Sequence, residues 1–289
     1  MYKVDNAVIM AAGTSSRFAP LSYEMPKALI TVKGEVMIER QIEQLKQAGI
    51  SDIYIVVGYK AEMFEYLKEK YGVVLIENKQ YLERNNNSTV YAAKDVIKNS
   101  YICSADNYFS ENPFKSEEEE CYYSAVYADG FTKEWCIEYD LDNRITNVEI
   151  GGENAWYMLG HTFWSEEFSK RFLDILEKEY NLPQTKDLLW ESIYINHINE
   201  LDMKIKKYSP DVIFEFDTLD ELREFDSSYV NDTRSEIIKN LSKVMGCQEK
   251  DIRNVTAYRG NSNEADGFEF IYDNSTYVYS YLDKSVRSK

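Results

Sequence analysis

Residues 9–29 read Ile9-Met-Ala-Ala-Gly13-Thr-Ser-Ser-Arg17-Phe-Ala-Pro20-Leu-Ser-Tyr-Glu-Met25-Pro26-Lys27-Ala-Leu29. An apolar run at 7–10 turns at Ala11-Ala12-Gly13 into a loop of small, hydroxylated residues that holds Arg17. Ten residues further on, a Pro-Lys-Ala-Leu segment supplies Lys27. A buried strand, a small-residue loop and two cations suit the phosphates of a nucleoside triphosphate. Backbone N–H groups come close where side chains are small, and the cations neutralise the remaining charge. No Gly-Lys-Ser/Thr follows Gly13 at the Walker spacing. Gly13 also stands alone where a dinucleotide fingerprint needs three glycines.

Outward from this loop, apolar runs at 7–10, 53–57, 73–76 and 101–104 read as strands. Between them, 37–48, 62–71 and 88–97 carry helical periodicity, with Ser88 as a candidate N-cap. The alternation predicts an α/β fold, a mostly parallel sheet with helices on both faces. Residues 122–226 are richer in strands (122–128, 136–139, 145–150, 157–164, 204–207, 212–216), with helices at 166–179 and 187–199. A polar patch after Asp226 marks a boundary, giving domains 1–226 and 227–289. The second is a small α+β extension with a helix at 235–245 and a tyrosine-rich hairpin.

A chain of 289 residues with 44% hydrophobic content can bury a substantial core. It has no apolar stretch near eighteen residues and no signal-peptide pattern, so a cytoplasmic protein without a membrane partner is expected. Four scattered cysteines and two histidines argue against a disulfide framework or a zinc site. A net charge of −17 disfavours nucleic acid. The run Glu117–Glu120 reads as a solvated loop.

Three further features suit a triphosphate. Asp106 and Asp217 each follow an apolar strand, where isolated carboxylates can hold Mg²⁺ against phosphate oxygens. Read singly, each is more often a turn former or helix cap; beside the phosphate loop the metal reading prevails. The run Glu83-Arg-Asn85-Asn86-Asn-Ser88 offers amides and a hydroxyl to a pyrimidine edge or a ribose, or else is an Asn-rich turn with a helix cap.

The opening loop resembles the signature of the nucleotidyltransferases, roughly Ala-Ala-Gly-x-Gly-x-Arg-x-x-Pro followed by Pro-Lys-x-Leu. Ala11, Ala12, Gly13, Arg17, Pro20, Pro26, Lys27 and Leu29 match, and Ser15 replaces the second glycine. Over residues 1–226 the order of segments is similar to the bacterial CTP:phosphocholine cytidylyltransferases. The matching pieces include Asp52-Ile-Tyr-Ile-Val-Val-Gly-Tyr59, Ala105-Asp-Asn-Tyr108, Glu134-Trp135, Phe163-Trp164 and Glu215-Phe-Asp217. The resemblance implies a Rossmann-like sheet, CTP as donor, Mg²⁺ as cofactor and a small cationic phosphate as acceptor. In that reaction a substrate phosphate attacks the α-phosphorus and pyrophosphate leaves. The attacking phosphate is already ionised, so no general base is needed. Lys27 would bridge the α-phosphate and the attacking oxygen, and Arg17 would hold the β- and γ-phosphates.

Trimethylammonium groups are held by aromatic faces beside a carboxylate. Trp135, Trp156, Tyr157, Trp164 and Trp190, with Glu134 and Glu191, supply such groups, though core packing accounts for aromatics equally well. On the resemblance, Trp135 and the Trp190-Glu191 pair fall at the headgroup pocket. There Leu189 replaces an aromatic and Glu191 an aspartate, which leaves room for phosphoethanolamine or 2-aminoethylphosphonate. A sugar 1-phosphate is the same-fold alternative, and an inactive nucleotide-binding interaction module the alternative of another class. Pieces of residues 236–282 resemble the opening of choline-kinase-like N-lobes. The tail is therefore read as a fragment of a fused kinase, a packing or homo-oligomerisation module, or a plain α/β cap.

Overall fold

The protein, seen as a computed structural model, is described over residues 1–258 and 265–289. Its chain forms two compact units that do not follow chain order. One comprises Met1–Gly13 and Ile38–Glu215, the other Thr14–Met37 and Phe216–Lys289.

The first unit is an α/β fold. Strands Ser100–Ser104, Asn6–Ala11, Ile53–Val57 and Val74–Glu77 lie side by side in that order, all parallel. Each of the three inner strands is a short apolar run, as burial on both faces requires. Beyond Ser100–Ser104 the sheet turns mixed. Trp156–Trp164 pairs antiparallel with it, and Phe131–Tyr139, Ile145–Glu153, Tyr122–Tyr127 and Lys204–Tyr208 complete this half. Helix Glu166–Glu179 has the bounds expected from sequence because Ser165 accepts from Phe168 N–H at its N-terminus. Phe168, Phe172 and Leu176 on one face of that helix enter a core with Trp164, Trp190, Ile193 and Tyr194.

The second unit holds helices Leu219–Phe225 and Glu236–Met245 and a four-stranded antiparallel sheet, Arg253–Tyr258, Gly267–Tyr272, Ser275–Ser280 and Ser285–Ser288. The tyrosine-rich pair expected as a hairpin is the centre of this sheet. No helix among the described residues is long and apolar enough to cross a membrane.

Two local expectations are corrected. Ser88 is not an N-cap. The helix is Asn87–Ala92, preceded by Asn86, and the Ser88 hydroxyl is buried between Asn78 Nδ2 and the Asn85 carbonyl, at 2.9 and 2.8 Å. Nor is Glu117–Glu120 a solvated loop throughout. Glu118 is only 6% exposed and accepts from Tyr101 OH (2.6 Å), Tyr122 OH (3.0 Å) and Lys206 Nζ (2.8 Å). The cation that neutralises it, Lys206, is 88 residues away along the chain, and a run of four acids gives no hint of it.

Candidate active site

The sequence of the loop determines its backbone. Ser15 adopts φ 47°, ψ 40°, the left-handed region a glycine occupies at little cost, which explains a glycine at this place in the family pattern. The turn Ser16–Phe18 that follows carries Arg17, whose side chain is 70% exposed. Lys27 opens the turn Lys27–Leu29 and its side chain is 3% exposed, with Nζ 5.6 Å from the Phe18 ring centre. Both cations meet Asp217. Arg17 Nη1 is 2.6 Å from Oδ2, and Lys27 Nζ is 3.9 Å from Oδ1. A capping box fixes Asp217 at the entry to Leu219–Phe225. Glu221 Oε2 accepts from the N–H groups of Asp217 (2.6 Å) and Thr218 (3.1 Å), while Thr218 Oγ1 accepts from Glu221 N–H. Two cations against one carboxylate leave this trio positive, as a phosphate site needs.

In the first unit, strand order reverses between Asn6–Ala11 and Ser100–Ser104, the switch point where α/β sheets open a crevice beyond their carboxyl ends. Ala105 N–H donates to Met10 O at 3.2 Å, so Ala11-Ala12-Gly13 and Asp106 leave the sheet side by side. Gln41 secures the Asp106 turn. Its buried Nε2 donates to Ser104 O (2.9 Å) and Asn107 O (2.8 Å). A Cβ on Gly13 would meet no atom within 4 Å, whereas one on Gly58 would lie 2.7 Å from the Tyr81 ring and 2.9 Å from Ala12 O. Gly58 is thus required by packing, and Gly13 leaves its space open.

The Asn-rich run faces residues 185–191. Asn85 Nδ2 donates to Asp187 O (3.1 Å), and Asn87 Nδ2 to Thr185 O (3.0 Å). Asn86 Oδ1 accepts from Trp190 N–H (2.7 Å) at the start of helix Trp190–Asn196, and its Nδ2 donates to Glu191 Oε2 (3.1 Å). Glu191 Oε1 accepts from Tyr123 OH at 3.3 Å. Among the described residues no cation pairs with Glu191. Burial therefore pushes its carboxyl up to about 7, against the smaller opposing effect of these hydrogen bonds.

Tyr123 is the hub of an acidic nest. Its phenol is pushed well up, first by burial and then by the carboxylates of Glu191, Glu215 and Asp106. Tyr157 is raised by burial and by Glu134 and Glu215. Trp135 sits half-buried opposite Ile150, at an irregularity in the pairing of its strand. Trp190 does not line this nest. It is 1% exposed and stacks behind Tyr123, ring centres 5.7 Å apart, with Trp164 edge-on at 5.1 Å. Sequence reading passed over Tyr123, which looks like any strand tyrosine, and Glu215, which stood in the matched Glu-Phe-Asp triplet beside the assigned Asp217.

Residues 7–109 match the MobA-like NTP transferase domain. The choline-phosphate cytidylyltransferase of Streptococcus pneumoniae is 34% identical over 78% of this chain and 99% of its own length. The chain belongs to the cytidylyltransferase family. The solved structure of the S. pneumoniae CTP:phosphocholine cytidylyltransferase (LicC) superposes with a TM-score of 0.75 at 35% identity, covering 78% of this chain and 99% of that one. The 2-aminoethylphosphonate cytidylyltransferase of Lancefieldella rimae is 40% identical over 80% of this chain and 95% of its own length. An inositol-1-phosphate CTP transferase from T. maritima shares the fold alone, with a TM-score of 0.57 at 15% identity. As a cytidylyltransferase, the chain is a nucleotide-transferring enzyme with a mostly parallel α/β sheet, and the position of Gly13 and Asp106 at the switch point suits that chemistry.

Proposed function

We propose that this cytidylyltransferase transfers CMP from CTP to phosphocholine, giving CDP-choline and pyrophosphate. The observation that carries the acceptor assignment is Glu191, a half-buried carboxylate that pairs with no cation among the described residues and lies beside Tyr123 and other carboxylates. A quaternary ammonium supplies the missing charge, and Tyr157 and Trp135 offer aromatic faces to its methyl groups. Trp190 supports the nest from behind through Tyr123, and Asn86 orients Glu191. The relatives named for phosphocholine agree with this assignment.

Ala11, Ala12 and Gly13 bring backbone groups to the CTP phosphates. Arg17 holds the β- and γ-phosphates that leave, and Lys27 neutralises charge between the α-phosphate and the attacking oxygen. Asn85 and Ser88 act on the nucleotide through the loop whose shape they fix. Asp106 and Asp217 offer the hard oxygen donors that Mg²⁺ takes. Among the described residues no group of three or more His, Cys, Asp or Glu could hold a metal ion, so each carboxylate would act together with phosphate oxygens of the bound substrate. When bound, Mg²⁺ would offset the charge of the departing pyrophosphate.

A second reading, 2-aminoethylphosphonate as acceptor, is favoured by the 40% identical relative and by the withdrawal of Trp190 from the nest, since a primary ammonium prefers carboxylates to rings. Pyrophosphate release measured with each NTP against phosphocholine, phosphoethanolamine, 2-aminoethylphosphonate and a sugar 1-phosphate separates these readings. CTP with phosphocholine is expected to give the highest kcat/KM, and a higher value with another acceptor would overturn the assignment. Asp106→Ala is expected to abolish turnover in a folded protein. Near-normal activity would remove Asp106 from the metal site.

A further inference from the structure

The S. pneumoniae relative matches this chain over 226 residues, 78% of this chain and 99% of its own length, so part of this chain lies outside that match; residues 227–289 are the extension expected from the sequence. Their contacts within the second unit fall on the segment that carries Arg17 and Lys27. Tyr281 stacks on Tyr23 with ring centres 3.8 Å apart and planes 12° from parallel. Ile237 N–H, in the first turn of helix Glu236–Met245, donates to Glu24 Oε1 at 3.2 Å. Past Lys27, the Thr31 carbonyl accepts from Tyr229 OH (2.7 Å) and Arg234 Nη1 (2.8 Å). Strand Arg253–Tyr258 packs against the turn Ser16–Phe18. The helix behind Asp217 is gripped as well, because the buried Arg223 guanidinium donates to the carbonyls of Ile252 (2.7 Å) and Glu249 (2.8 Å).

From this convergence we propose that the described residues after Asp226, 227–258 and 265–289, are a positioning clamp for the triphosphate-binding loop, with Tyr281 and Arg234 as positioning residues for Arg17 and Lys27. Three charged groups from two distant parts of the chain have to share one geometry. Ser15 holds a backbone angle that opposes its own preference, and the extension restrains the loop on both sides of Lys27. The clamp predicts a specific kinetic effect. Loosening it disturbs triphosphate binding and transfer and leaves acceptor recognition intact, since Tyr123, Glu191 and Tyr157 belong to the other unit.

The kinetic part of this inference rests on the cytidylyltransferase reading, so the test has an arm that does not. In the full-length protein, Tyr281→Ala and Arg234→Ala are compared with Tyr281→Phe, which retains the stack. Hydrogen exchange of residues 14–37 is expected to rise at least about 10-fold in the two alanine variants and to stay normal in Tyr281→Phe. The global unfolding transition is expected to stay above the assay temperature. Unchanged exchange at 14–37 would overturn the clamp whatever the enzyme's substrate. Where turnover is measured, kcat/KM for CTP is expected to fall on the order of 10-fold or more, misplacement by about 1 Å costing up to about 10²-fold. KM for the acceptor is expected to hold. A loss of kcat alone, matching the unfolded fraction, would also overturn the clamp.

Discussion

Replacing Glu191 by glutamine is expected to stabilise the protein while impairing it. In the folded chain burial lifts this carboxyl from an ordinary 4.5 to about 7. At about 1.4 kcal/mol per pH unit, the ionised form costs the fold about 3 kcal/mol above neutrality. Between 4.5 and about 7 the folded chain retains a proton that the unfolded chain has released, so this contribution to stability falls as pH rises through that window and is constant above it. Glutamine removes the charge but leaves one acceptor oxygen for two donors, Asn86 Nδ2 and Tyr123 OH, a loss of about 1 kcal/mol. Urea denaturation should therefore find Glu191→Gln more stable than the parent by about 2 kcal/mol at pH 8, with that gain gone at pH 4.5. The same variant should bind the cationic acceptor more weakly and lose the part of the parent's acceptor KM that titrates near neutrality. The acceptor phosphate titrates in the same region, and comparing parent with variant removes that shared term. A stability difference independent of pH, or a destabilised variant at pH 8, would refute the reasoning.

Other expectations are independent of that group. Gly13→Ala should change stability by no more than about 0.5 kcal/mol, because its Cβ meets no protein atom, yet cut CTP turnover about 10-fold or more where the phosphates need that space; unaltered kinetics would mean that no ligand approaches Gly13. Ser15→Gly releases a left-handed strain of about 1–2 kcal/mol at an entropic cost of about 0.5–1 kcal/mol, so the thermal midpoint should rise slightly. Glu118→Ala strands Lys206, whose ammonium lies 2.8 Å from that carboxylate, and should cost about 3–5 kcal/mol in a denaturant titration. A loss below 1 kcal/mol would mean that water reaches the Lys206 ammonium.

Where local physics dictates structure, the sequence was legible. Ile53–Val57 is five apolar residues closed by Gly58, and nothing but an inner strand accommodates it. Glu166–Glu179 has a serine cap and a one-sided apolar face, which fix both its type and its start. Arg17 and Lys27 stand out in the sequence because small residues and cations at those spacings suit phosphates, and the structure adds that Asp217 meets both. What stayed hidden depends on partners far along the chain. Glu118 is neutralised by Lys206, 88 residues away, and Trp190 is withdrawn because Tyr123 and Trp164 enclose it. The departure of Glu191 from ordinary carboxylate behaviour is likewise a property of its surroundings rather than of any motif.

The grouping of Thr14–Met37 with Phe216–Lys289 also has a temporal side. Lys33 N–H is held by Asp226, 193 residues later, and Ile237 N–H reaches Glu24 across 213 residues. Closing contacts at such separations is entropically costly and slow. On a ribosome, the segment Thr14–Met37 must wait until Phe216–Lys289 has been made before all its native neighbours exist. The first unit has all of its own segments once Glu215 has emerged. The sheet of the first unit can therefore form before the native neighbours of residues 14–37 have been made.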